Sequence, residues 1–168
     1  MINCCYVEKM AAYNAWMNAK IYAACAQLTD AERKRDVGAF FKSIHGTLNH
    51  LLLADRVWLA RFNNRRFGAT SLAQELYADF AALSEARRQT DDELAAWAAG
   101  LTDEQLGGVF SYTPITDPTP RTAPLALSLM HLFNHQTHHR GQVTTLLMQA
   151  GIDPGATDLI AMPNPASA

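Results

Sequence analysis

The stretch His131-Leu132-Phe133-Asn134-His135-Gln136-Thr137-His138-His139-Arg140-Gly141-Gln142 holds four of the chain's six histidines. It lies in an apolar run from Leu125 to Met148 that contains no Pro, and no Gly before Gly141, so a helix is expected there. At about 100° and 1.5 Å per residue, His131, His135 and His139 climb one face, each about 40° round from the last. A four-residue step rises about 6 Å, so two neighbouring rings can pinch one ion. The eight-residue step is about 12 Å, too far for His131 and His139 to share an ion bound at about 2.1 Å. One helix therefore offers a pair, and a third ligand must come from elsewhere.

The helical wheel separates the candidates. Leu125, Leu129, Leu132, Val143, Leu146 and Leu147 form the apolar arc, and His135 and His139 lie at its edge beside Leu146. His131 and His138 fall further round, with Asn134, Gln142, Thr145 and Gln149 on the polar side. Any one of these histidines alone is an ordinary member of a solvated helix edge. An i, i+4 pair at the boundary of a core is different, because an unpaired imidazole there is costly and a metal relieves the cost.

Working outward, 168 residues suit one domain, 1–168, with a substantial core, and 49% apolar residues exclude a disordered chain. A net charge of −2 recommends neither nucleic acid nor an anionic membrane as a partner. No apolar run is long enough to span a bilayer, and Met1-Ile-Asn-Cys-Cys lacks the regions of a signal peptide. Three cysteines, with Cys4 and Cys5 adjacent, form no disulfide framework, so a cytoplasmic protein with reduced, buried structural thiols is expected.

Four long helices follow from periodicity: residues 3–28, 37–62, 71–99 and 124–149. Tyr6, Met10, Tyr13, Met17 and Ile21 mark the first, and Asp30 to Asp36 reads as a charged, solvated connection. Phe41, Ile44, Leu48, Leu51, Asp55, Trp58 and Phe62 form the stripe of the second. His50 lies off that stripe, in a lane with Ser43, Thr47, Ala54 and Val57, whose small side chains leave room around an imidazole. His45 points to the far flank and is expected at the surface. Asp55 falls inside the apolar stripe, where a carboxylate needs a partner, and a structural ion pair or hydrogen bond across the bundle is expected.

Ser71 is the expected cap of the third helix, Gly100 its stop, and Thr102-Asp-Glu-Gln105 a capping box opening a short turn. Val109 to Pro114 and Pro120 to Ala123 look extended, a small hairpin or ordered loop before the last helix. Pro124 suits that helix's first turn, and Gly151 with Pro154 ends it. A mobile tail is expected from about residue 155. The fold class is thus all-α, a four-helix bundle with a small extended insert.

Three motifs together carry a resemblance: Tyr13-Asn-Ala-Trp-Met-Asn18, Leu48-Asn-His50-Leu-Leu-Leu-Ala-Asp55, and Asn134-His135-Gln-Thr-His-His139-Arg-Gly-Gln142. In their order and separation the chain resembles the DinB/YfiT-like family of bacterial metalloenzymes from Tyr13 to about Gly151. The resemblance implies a four-helix bundle holding one divalent ion, zinc or nickel, with His50, His135 and His139. It also implies a homodimer, and a name that records induction by DNA damage rather than an activity. Characterised relatives transfer low-molecular-weight thiols to electrophiles or isomerise thiol adducts, which makes such a thiol a candidate cosubstrate. Independently, Leu53, Phe40 and Phe133 lie off the main stripes, where a homodimer could cover them.

One departure matters. His135-x-x-x-His139 matches the H-E-x-x-H zinc protease frame except that Gln136 stands where Glu would be, and a neutral amide cannot act as general base. No catalytic residue follows from the motifs. The expected function is a metal-dependent enzyme acting on a small molecule, a thiol S-transferase or a hydrolase. The competing expectation is a non-catalytic metal- or small-molecule-binding stress-response bundle.

Overall fold

Asn3 opens the first helix by accepting the amide of Tyr6 through its side chain, and α1 runs Cys4–Cys25. The computed structural model describes residues 2–163. Thr29 and Glu32 form a capping box that starts the short α2, Asp30–Lys34, so part of the expected charged connection is helical. Then follow α3, Ile44–Phe62, α4, Phe80–Ala99, and α5, Asp103–Leu106. Thr102 and Gln105 form the expected capping box, and Gly100 caps α4. Strands β1, Val109–Tyr112, and β2, Arg121–Pro124, pair antiparallel with Val109 opposite Pro124 and Tyr112 opposite Arg121. The last helix, α6, spans Leu125–Gln149, and Gly151, at φ +80°, follows it.

Two expected helix starts are too early, for different reasons. α3 begins at Ile44, not residue 37, because Gly38 and Lys42 take positive φ and Ser43 caps Gly46. α4 begins at Phe80, not residue 71. Leu72, Leu76 and Phe80 keep helical spacing, but the amides of Leu76 and Tyr77 bond to Asn49 Oδ1 on α3 instead of forming a helical ladder. Ser71 accepts the amide of Ala73, as in a turn.

Helix α1 packs on α4 and α6, and α3 packs on α4 and α6. The ring order is therefore α1–α4–α3–α6, with α1 diagonal to α3 and α4 diagonal to α6. The core divides into two apolar clusters. Met17, Ile21, Leu48, Leu51, Val143 and Leu147 belong to one, and Val7, Leu59, Leu94, Leu129, Leu132 and Phe133 to the other.

Between the clusters lies a buried polar layer fed by all four long helices. Arg87 sits 2.7 Å from Asp55 and 2.9 Å from Asp91, Asn18 donates to Asp91 at 2.9 Å, and Arg140 donates to Asn14. Asp55 thus has the ion pair across the bundle that its place in an apolar stripe demanded.

Among the described residues no helix is long and apolar enough to cross a membrane. The stretch expected to leave the fold near residue 155 instead stays on α1, where Tyr13 Oη donates to Thr157 O and Lys20 donates to Ala156 O. The end of the expected tail, residues 164–168, lies outside the described residues. Leu53 and Phe133 are buried inside the bundle, so of the three residues expected to mark a dimer surface only Phe40, 82% exposed, is on one.

Candidate metal centre

Helices α3 and α6 are neighbours in the ring, and this brings His50 against His135 and His139. One ligand nitrogen from each imidazole lies within 4.8 Å of the other two. His50 Nε2 and His135 Nε2 are 3.2 Å apart. Two nitrogens bound tetrahedrally at about 2.05 Å would be about 3.3 Å apart, so this spacing matches a zinc-sized ion. His131 and His138 are exposed beside the group, as the wheel placed them.

The protonated nitrogens of two rings are set by acceptors. His50 Nδ1 lies 2.8 Å from Leu72 O, and His139 Nδ1 lies 2.8 Å from Gln142 Oε1. Each acceptor requires N–H at Nδ1, which leaves Nε2 with its lone pair aimed inward. His135 Nδ1 is buried without a partner. Burial pushes His50 down to about 4 and His135 down to about 3, with repulsion from His139 adding to both; burial also lowers His139. All three rings are therefore neutral near pH 7, the form that ligates.

Phe41 roofs the group. Its ring lies 3.8 Å from His50 at 19° and meets His139 edge-on at 5.4 Å. It was expected inside a helical stripe but sits in the tight turn before α3, where Lys42 N bonds to Ala39 O. Gly46 makes room for that turn, since a Cβ there would fall 2.2 Å from Phe41 O. Gly46 was the one sequence signal of a close backbone approach.

Asn49 holds the other wall. Its side chain accepts two loop amides and donates to Tyr77 O, fixing the loop whose Leu72 carbonyl orients His50. The expected surface residue His45 is instead 1% exposed and bonds to the same Tyr77 O at 2.8 Å. It serves the loop and is not part of the histidine group.

Gln136 turns away from the histidines into the core. Its Nε2 donates to Leu51 O at 3.0 Å and to Asp55 Oδ1 at 2.5 Å. The cysteines stand apart too. Cys25 is buried and pushed up to about 12, and Cys4 is pushed up to about 11 by its hydrogen bond with Asp103, while Cys5 is exposed rather than buried. Neither Cys4 nor Cys25 has the character of an activated nucleophile.

A sequence profile of the DinB family matches residues 1–167. The chain is 28% identical over 166 residues to Protein DinB of Bacillus subtilis strain 168, covering 91% of both proteins. Its fold is similar to a crystal structure of a DinB-like protein from Bacillus cereus ATCC 10987, with TM-score 0.62, 24% identity, and 83% and 89% of the two chains covered. It is also similar to YfiT from Bacillus subtilis, with TM-score 0.68, 18% identity, and 91% and 92% covered. That protein is described as a probable metal-dependent hydrolase with an unusual four-helix bundle topology.

Proposed function

The chain belongs to the DinB family, and we propose that it is a metal-dependent enzyme holding one divalent ion between His50, His135 and His139. The observation that carries this is the convergence of three neutral imidazoles with no counter-charge between them. Buried lone pairs aimed at one another are costly unless something positive sits among them. Three imidazoles suit zinc or nickel, and they leave at least one position open in a tetrahedral shell.

An ion held there supplies Lewis acidity, favouring the ionised form of a water or thiol brought to the open position. The chain's own residues do the rest. Leu72 O and Gln142 Oε1 fix the tautomers of His50 and His139, and Phe41 shields one side from water. Gln136 faces Asp55 and cannot reach a substrate proton. No cysteine joins the histidine group, and Cys4 and Cys25 are held as thiols, so the attacking group comes from outside the protein, either water or a low-molecular-weight thiol. The description of YfiT supports hydrolysis, and the family resemblance supports thiol transfer.

A second reading is a metal-holding, DNA-damage-induced stress module that turns nothing over. It is favoured by the absence, among the described residues, of any carboxylate within ligand distance of the three rings. A homodimer in the cytoplasm fits either reading, with exposed Phe40 as a candidate contact. Elemental analysis of protein purified without a metal-affinity tag, followed by a screen of thiols and water against epoxide, halide, activated-ring and ester substrates, tests the pair. One equivalent of metal with turnover supports the enzyme, metal without turnover supports the module, and a metal-free protein overturns both.

A further inference from the structure

Successive positions on α3 return to the lane of His50. Val57 is two turns on, about 10 Å along the axis, and Arg61 three turns on, about 16 Å. There the bundle edge opens into a cleft of about 710 Å³ between the end of α3, residues 64–70 and the turn joining β1 to β2. Arg61, Arg65 and Arg66 line it, and no carboxylate does.

Elsewhere Arg87, Arg88 and Arg121 each face an acid within 3 Å. In the cleft, among the described residues, no arginine has such a partner. Arg66 reaches only Thr113 Oγ1, at 3.4 Å. Arg61 is half-buried and packed against two adjoining rings, 4.7 Å from Trp58 and 4.6 Å from Tyr112. These cation–π contacts hold the guanidinium in place without using its N–H donors. A chain of net charge −2 that gathers three uncompensated guanidinia in one concave place has the makings of an anion site.

The cleft also adjoins the histidine group through side chains. Trp58 touches Tyr112 at 5.5 Å and His131 at 5.4 Å, and His131 lies 5.8 Å from His135.

We propose that this cleft binds a small carboxylate or phosphate, and that Arg61, Arg65 and Arg66 hold the acidic end of the molecule whose reacting end meets the three histidines. The first part stands on the cleft alone; the second rests on the metal-centre reading. The substrate class is therefore an acidic small molecule with roughly 10–16 Å between its anionic and reacting ends, the span from His50 to the cleft residues of α3.

The test is NMR of the full chain titrated with inorganic phosphate and, separately, with succinate. Saturable amide shifts confined to residues 61–70 and 111–116 are expected, and the tighter probe tells phosphate from carboxylate chemistry. The variant Arg65→Gln/Arg66→Gln changes only exposed side chains and so keeps the fold; it should weaken binding at least tenfold. Arg61→Gln should do the same, with Arg61→Lys restoring part. Shifts scattered over the surface, or equal affinity in the double variant, would overturn the site. Phosphate relaxation in a sample loaded with one equivalent of cobalt tests the second part. Faster phosphorus relaxation than in the zinc-loaded sample, lost in the double variant, is expected. Cleft shifts without that enhancement overturn the link to the histidines but leave the anion site standing, and cleft shifts persisting in His135→Ala show that the two are separable.

Discussion

Two of the polar groups in this bundle, the ion-paired layer and the histidine group, are built differently. The layer of Asp55, Arg87, Asp91, Asn14, Asn18, Gln136 and Arg140 lies between the apolar clusters; its two carboxylates share the Arg87 guanidinium and accept from amide donors, and Arg140 donates to Asn14. The histidine group at the α3–α6 edge brings three bases together with no carboxylate among them. A buried group that satisfies itself sets how the helices pack, and its removal is a matter of stability. A buried group whose atoms all want the same missing partner is arranged for a ligand. Gln136 and His135 make the contrast between adjacent residues: Gln136 Nε2 donates into the ion-paired layer, while His135 turns into the group of bases.

The largest expected effect breaks the second half of that contrast. His135→Ala should go from one equivalent of bound metal to none by elemental analysis, with a lower melting temperature, because two imidazoles bind far more weakly than three. If the variant still holds one equivalent tightly, the histidine group is not the site.

Arg87→Leu tests the first half. It leaves Asp55 and Asp91 buried without their cation and should cost about 3–5 kcal/mol in denaturant unfolding at pH 7, while the metal stoichiometry of the surviving folded protein stays at one. Loss of metal in folded Arg87→Leu would mean that the two groups are coupled rather than separate.

The two groups should also respond to pH with opposite sign. Burial raises Asp91 to about 6, above the roughly 3.9 of an unfolded aspartate. The stability it contributes is present below about 3.9 and lost as pH rises through about 6. His50 and His135, depressed to about 4 and about 3 from about 6.5, contribute stability present above about 6.5 and lost as pH falls through those values. In metal-free protein, His50→Ala/His135→Ala should flatten the loss of stability between pH 6.5 and 4, and Asp91→Asn should steepen it. Matching changes in the two variants would refute the opposition.

The smallest effect concerns His45, a buried imidazole belonging to neither group. His45→Ala should lower stability by about 1–2 kcal/mol, from a lost hydrogen bond and a small cavity, and leave metal content unchanged.

From sequence alone, periodicity identified the four long helices, and the i, i+4 spacing identified His135 and His139, because both patterns are local to one helix and need no partner. Gly100, Thr102 and Gly151 marked boundaries for the same reason: a cap or a left-handed turn is decided within a few residues. The need of Asp55 for a partner was equally legible, since burial of a carboxylate is costly wherever it happens. What the tertiary structure alone decided is which distant atoms meet these demands. Arg87 and Arg88 are neighbours in sequence, yet one lies in the core on Asp55 and the other in solvent with Glu85. Residues 71–79 keep helical spacing but not helix, because Asn49 from α3 binds their amides. That same loop buries His45, orients His50 and leads to the arginine cleft. None of this is written in a period of 3.6, because a hydrogen bond between residues some 20 to 80 positions apart depends on how the helices pack.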